Sequence, residues 1–190
     1  MQNHITIRTA VEADAGALLS IYAPYVKNTA VSFEYAVPSE AEFTERIRTI
    51  QSKYPYLVAE YDGETAAYAY AAPFHPRAAY AWCVETTIYV KETMRGRGIG
   101  RVLYSRLEST LKEMGILNLN ACIASPSIED EYLTHASESF HRHMGYTKVA
   151  EMHSSGFKFQ RWYNTIWMEK MLGAHTENPA PVKAFNGMIC

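Results

Sequence analysis

The stretch AYAWCVETTIYV, Ala79 to Val90, runs through KETMRGRGIG, Lys91 to Gly100, into a segment with helical patterning. An apolar run of that length marks a strand near the middle of a sheet. The segment beyond the turn carries Ile99, Leu103, Leu107, Leu111 and Met114 on one stripe, and Gly115 closes it. That helix must lay its stripe on the sheet. ILNLNACIA, Ile116 to Ala124, then reads as a second strand. Strand, helix and strand between Trp82 and Ile123 therefore form a crossover joining two parallel strands.

The turn itself needs a reason for Gly96, Gly98 and Gly100. Glycine inside a helix costs roughly 1 kcal/mol against alanine. It is the residue of choice where backbone N–H groups must approach a ligand with no Cβ in the way. A helix start adds unpaired N–H donors and the positive end of the dipole, which suit an anion, phosphate above all. Two better-known phosphate loops do not fit. From Gly96 a Walker A loop would need its second glycine at Arg101, with a lysine after it. A dinucleotide fingerprint fails at Arg101 or at Leu103, depending on the starting glycine.

The rest of the chain supplies an ordinary α/β domain. ITIRTA at Ile5 alternates as a strand; Glu12 to Val26 reads as a helix with Ala17, Leu18, Ile21, Tyr22 and Tyr25 on its apolar side, kinked or ended by Pro24. Ser39 and Glu42 make a capping box for a second helix with Phe43, Ile47 and Ile50 on one face. Asp62-Gly63 joins two strand-like runs as a hairpin. Ser137 to Met144 reads as a short helix closed by Gly145, and Lys148–Phe159 and Trp162–Met171 as two more strands. The order β-α-α-β-β-β-loop-α-β-α-β-β shows no repeat. It predicts one α/β domain over 1–172, with a mixed, mostly antiparallel sheet flanked by helices. Residues 173–190, rich in proline, glycine and polar residues, read as a flexible tail.

The chain of 190 residues, 48% of them hydrophobic, can bury a core, and its net charge of −2 argues against a nucleic-acid binder that works through bulk positive charge. No apolar run reaches roughly 18 residues and no basic-then-apolar leader opens the sequence, so a cytoplasmic protein with no membrane partner is expected. Cys83, Cys122 and Cys190 show no C-x-x-C pairing; Cys83 and Cys122 read as small buried side chains. His141 and His143 lack the helical i, i+4 spacing of a metal site, and no metal is expected.

Arg95-x-x-Gly98-x-Gly100 resembles motif A, [RQ]-x-x-G-x-[GA], of the GCN5-related N-acetyltransferases (GNAT), and FHRHMGY, Phe140 to Tyr146, resembles their later signature. More narrowly, IYAPYVKNTAVSFE, KYPYLVAE, AYAWCVETTIYV and GFKFQRWYNTIWMEK are similar, in order, to segments of the phosphinothricin N-acetyltransferase branch. The resemblance covers about Ile5 to Leu172. It implies a single-domain GNAT fold whose parallel β-α-β core binds acetyl-coenzyme A. It further implies a homodimer that acetylates a small amine, an amino acid or an analogue such as phosphinothricin or methionine sulfoximine, by direct attack in a ternary complex.

The resemblance also assigns residues. Glu85, a carboxylate in an apolar strand, would take a proton from the substrate ammonium; a structural acid is the alternative. Ile88, Tyr89 and Val90 would bond the pantetheine arm through their backbone, one N–H polarising the thioester carbonyl, while their side chains fill the core. Arg95, Gly96, Arg97, Gly98, Ile99, Gly100 and Arg101 would cradle the pyrophosphate. Thr134 and His135 stand where the branch has an asparagine that touches the cofactor. His141 would protonate the leaving thiolate or pack against the cofactor. Phe33, Glu34, Arg77, Lys158, Trp162 and Tyr163 match the substrate end, Arg77 as a bidentate carboxylate ligand or a surface arginine. Two features depart from the branch: the acidic SIEDEYL insertion before the short helix, and FQRWYN in place of a glycine-containing turn. Other readings are a protein N-terminal or lysine acetyltransferase, an acetyl-coenzyme A sensor without turnover, and a nucleotide-phosphate binder.

Overall fold

The computed structural model describes residues 4–187; Cys190 lies outside them. In chain order the elements are β1 (Ile5–Thr9), α1 (Ala15–Asn28), α2 (Glu40–Gln51), β2 (Tyr56–Tyr61), β3 (Glu64–Pro73), β4 (Cys83–Val90), α3 (Ile99–Met114), β5 (Asn118–Ser125), α4 (Ala136–His143), β6 (Thr147–Lys158) and β7 (Arg161–Met171). The strands form one sheet in the order β1-β2-β3-β4-β5-β7-β6. Every neighbouring pair among the described residues is antiparallel except β4 and β5.

The alternation in β3 shows how the two faces are built. Ala67, Ala69 and Ala71 line the face where Leu103, Leu107 and Leu111 of α3 are buried, and their small side chains let the helix lie close. On the opposite face Tyr68 and Tyr70 stack with Tyr56 under α1 and α2, filling space that small residues would leave empty. Fully burying each leucine of the α3 stripe contributes about 1.5–3 kcal/mol, so this stripe fixes the helix on the sheet. The Ser39–Glu42 capping box forms as expected.

Three elements differ from the sequence reading. First, α1 continues through Pro24 to Asn28. Burial of Tyr22, Tyr25 and Val26 on either side of the proline offsets the backbone hydrogen bond it forfeits. Second, Cys122 is exposed and Cys83 only half-buried: β5 turns Cys122 to the face opposite Ala121 and Ile123, which pack in the core with α3. Third, the C-terminal stretch is irregular but docked. Trp82 Nε1 donates to Ala180 O (2.8 Å), Lys183 N to Met114 O (2.8 Å) and Phe185 N to Lys53 O (3.4 Å). Val182 and Phe185 pack on the core. Truncation after Leu172 is therefore expected to lower stability by about 3 kcal/mol, read as a lower urea midpoint; an unchanged midpoint would show the contacts to be idle.

Candidate active site

The parallel ladder between β4 and β5 is short. Cys83 pairs with Asn118, Val84 with Leu119 and Glu85 with Asn120, and the pairing then stops. β4 nevertheless runs on to Val90 against β3, and β5 to Ser125 against β7. The sheet is thus forked, and Glu85 sits at the vertex. A side chain supplies the next rung: Thr86 Oγ1 donates to Asn120 O (3.2 Å). Beyond it, the inner edge of β4 faces an open gap. Lys91 N–H bonds Ala66 O on the β3 side, whereas Val90 N–H and C=O both meet the Tyr25 hydroxyl, at 3.4 and 2.6 Å. By alternation the backbone of Ile88 also faces the gap and that of Tyr89 faces β3. The Tyr89 ring packs among Tyr22, Tyr25 and Tyr68. Of the three residues expected to bond a pantetheine arm, Ile88 has the geometry, Val90 is held by Tyr25, and Tyr89 is turned away.

Glu85 is half-buried, and burial raises its carboxyl above the usual carboxylate range, with the charge of nearby His75 opposing. Its own charge reaches Cys122, whose thiol, though the residue keeps an exposed edge, is pushed up to about 11 by the side chains crowded around it first and by Glu85 second. Thr87, Tyr89 and Tyr70 continue this face toward α1. Burial thus makes this carboxylate a stronger proton acceptor than an exposed one.

The glycine turn ends at the mouth of the fork. Gly96 and Gly98 have φ of +75° and +79°, and a Cβ at either would meet nothing within 4 Å, so their conformation opens outward as a cradle. Gly98 is the N-cap of α3, and Val102 N–H is the donor that returns to its carbonyl, leaving the amides of Ile99, Gly100 and Arg101 for an anion. Gly100 packs near Val90, Ile88 and Phe140. The arginines diverge: Arg95 lies over the Tyr25 ring, Arg97 over Tyr61, and Arg101 lines a recess between β1 and α3. A cavity of about 420 Å³ beside Arg95 is bounded by Tyr25, Thr29 and Lys91.

His141 is 4% exposed, and burial lowers its pKa. Nδ1 lies 2.8 Å from Ser137 O, which requires the proton there, and Nε2 lies 3.1 Å from the Tyr104 hydroxyl. Tyr104 also reaches Thr86 Oγ1 at 2.6 Å. The one Tyr104 proton goes to Thr86 Oγ1, so the contact with Nε2 is a close approach that positions the ring, and the buried imidazole braces the fork from behind. Thr134 is exposed and its Oγ1 accepts from Ala136 N (3.4 Å), while His135 caps α4 with its N–H on Glu129.

The substrate-end residues are not gathered in one pocket. Phe33 lies against Gly156 of β6 and stacks toward Tyr163. Glu34 pairs with Arg46 at 2.7 Å. Arg77 is exposed at the start of a short turn before β4. Trp162 is 62% exposed and packs on Phe157, so it closes nothing; Tyr163 is buried with its hydroxyl on Asp130 (2.9 Å). Lys158 corrects the expectation of a substrate ligand. All three of its ammonium donors are taken by backbone carbonyls, which leaves none for an acceptor.

A family model described as an acetyltransferase (GNAT) domain matches residues 7–167. The chain belongs to this family. A phosphinothricin N-acetyltransferase from Alcaligenes faecalis is 34% identical over 89% of this acetyltransferase and 83% of its own length. A phosphinothricin acetyltransferase from Sinorhizobium meliloti, solved in complex with acetyl-coenzyme A, superposes with a TM-score of 0.84 at 34% identity, covering 100% of this chain and 98% of its own. A ribosomal-protein-alanine N-acetyltransferase from Brucella melitensis gives 0.80 at 32%, covering 88% and 99%. The enzyme uses acetyl-coenzyme A, and the site fits it: an open cradle of helix-start amides for a pyrophosphate leads to a strand edge with free backbone groups. Thr86, Tyr104, Asn120 and Tyr25, which shape the gap, escape a reading of the sequence. Their signal is a hydroxyl or amide in an otherwise apolar stripe, as with Tyr104 beside Leu103 and Leu107.

Proposed function

We propose that this acetyltransferase acetylates the primary amine of a small amino-acid-like acceptor, with phosphinothricin and methionine sulfoximine as models, by direct attack in a ternary complex. The observation that carries the reading is Glu85 at the vertex of the fork, on the face away from α3, with a raised pKa. Acetyl-coenzyme A supplies the thioester that carries the acetyl group. The amides of Gly96 to Arg101 hold its pyrophosphate, and the Ile88 N–H is the donor toward the carbonyl oxygen. Glu85 accepts one ammonium proton, which frees the lone pair to attack the acetyl carbonyl carbon; the C–S bond would then break, and the second amine proton would leave with the coenzyme A sulfur as the free thiol. His141 is a positioning residue that sets Tyr104 and Thr86 at the vertex.

The same reading takes the protein as cytoplasmic and homodimeric. The edge strand β6, with Val149, Met152 and Phe157 exposed, supports a second copy at that edge; light scattering that returns a monomer mass would refute it. Among the described residues no helix is long and apolar enough to cross a membrane.

A protein N-terminus is the second reading, favoured by the openness around Trp162 and by the likeness to the Brucella enzyme. Thiol release from acetyl-coenzyme A separates the two when measured with phosphinothricin, methionine sulfoximine, free amino acids, polyamines and alanine-initiated peptides. Turnover with the amino-acid analogues is expected. Turnover confined to the peptides would transfer the assignment to the second reading.

A further inference from the structure

Among the described residues, Lys158 is a cation with no carboxylate in contact. It is 3% exposed, at the end of β6, and its ammonium donates to Val26 O (2.8 Å), Thr29 O (2.9 Å) and Ser32 O (2.6 Å). Val26 lies in the last turn of α1, where unpaired carbonyls and the negative end of the dipole accumulate, so a cation there is favourable. Thr29 and Ser32 belong to the connection that leaves that helix. The three bonds therefore tie a helix end and a loop to the tip of the β6–β7 hairpin, more than a hundred residues along the chain.

The same loop is fastened twice more to the same strand. The Phe33 ring lies against Gly156, where a Cβ would run into it. The Tyr35 hydroxyl donates to Phe157 O (2.5 Å). Within the loop, Ser32 Oγ meets Tyr22 and accepts from Glu34 N, and Glu34 pairs with Arg46 of α2. Glu34 is held on Arg46, and the charges of Arg46 and Glu85 both reach Tyr70, so the loop borders the face on which Glu85 opens. The hairpin tip is itself unusual. Phe159 and Gln160 both have positive φ, +50° and +60°, where glycine or asparagine is the ordinary choice, and the Phe159 ring is stacked on Tyr132 at 4.1 Å. Packing of the turn thus sets the position of the ammonium beside it.

We propose that Lys158 is a positioning residue for the acceptor end of the site: its three-carbonyl cap fixes residues 29–35, and with them the contacts that select the amine. The proposal rests on the acetyltransferase reading above and concerns acceptor binding: the ammonium bonds neither the glycine turn nor the β4–β5 fork, and because Thr29 borders the cavity beside Arg95, cofactor binding is measured alongside. Lys158→Met keeps the length of the chain and removes every donor. Hydrogen–deuterium exchange over residues 29–35 is expected to rise at least tenfold, with β4 and α3 unchanged. The KM for the acceptor is expected to rise at least tenfold, while calorimetric binding of acetyl-coenzyme A stays within twofold. Tyr35→Phe, at an exposed residue, should move the same two quantities in the same direction by a smaller factor, and it serves if Lys158→Met does not fold. Unchanged exchange in 29–35, or an unchanged acceptor KM in an active variant, would overturn the proposal. A wild-type protein silent with every amine would instead sink the acceptor reading, and the exchange experiment would still decide the role of Lys158.

Discussion

Glu85→Gln is expected to lower kcat/KM for the acceptor by about 10²–10⁴-fold, the usual contribution of a positioned general base, and to leave acetyl-coenzyme A binding intact. The glutamine keeps the volume at the vertex of the fork and cannot take a proton. A loss confined to the acceptor KM, with kcat preserved, would instead make Glu85 a binding carboxylate. The wild-type pH profile is a second check. Because burial raises the Glu85 pKa, the acid limb of kcat/KM should lie above the ordinary carboxylate range, and it should be missing from the residual activity of Glu85→Gln.

The same shift carries a stability consequence of opposite sign. A carboxyl whose folded pKa is raised binds its proton more tightly in the native state than in the unfolded chain. Its favourable contribution is complete below the unfolded value and is lost as pH rises through the folded one. Glu85→Gln should therefore melt higher than wild type at neutral pH and alike in acid, as calorimetry at the two pH values would read. A residue that costs stability where the enzyme works, and whose removal costs activity, has a role in the chemistry. A glutamate that braces the sheet would give destabilisation at neutral pH.

Where the sequence could be read, the determinants were local. The capping box at Ser39, the Asp62-Gly63 hairpin and the α3 stripe each act within a few residues, and each appears in the structure. The parallel core was equally legible, since a buried strand, a helix and a second strand leave few ways to connect. The fork was not. It depends on where the β4–β5 ladder stops, and that is decided by Thr86, Asn120 and Tyr104 meeting across three elements. Lys158 misled for the same reason: a lysine in a motif near the acceptor looks like a ligand until its carbonyl partners, on a helix end far away in sequence, come into view. Pro24, Cys122 and the docked C-terminal stretch were likewise misread, because the packing around them outweighs the local preference of each residue.

The cradle makes the other large prediction, and the protein contains its own control. Gly98 at φ +79° and Gly63 at φ +83° have the same left-handed backbone, and neither has an atom within 4 Å of an added Cβ. An alanine costs about 1–2 kcal/mol in that conformation at either position. At Gly63, in the hairpin between β2 and β3, the cost should appear as lower stability with acetyl-coenzyme A affinity unchanged. At Gly98 the turn can relieve the strain by leaving the conformation that presents the α3 amides, so the cost falls on binding. An affinity loss of about five- to thirtyfold is expected there, larger for Gly98→Val because a β-branched residue tolerates positive φ worse than alanine. Isothermal titration of both alanine variants with acetyl-coenzyme A decides the matter. Equal affinities would mean that the glycines merely turn the chain, and a loss restricted to Gly98 would tie the strained backbone to the anion it holds.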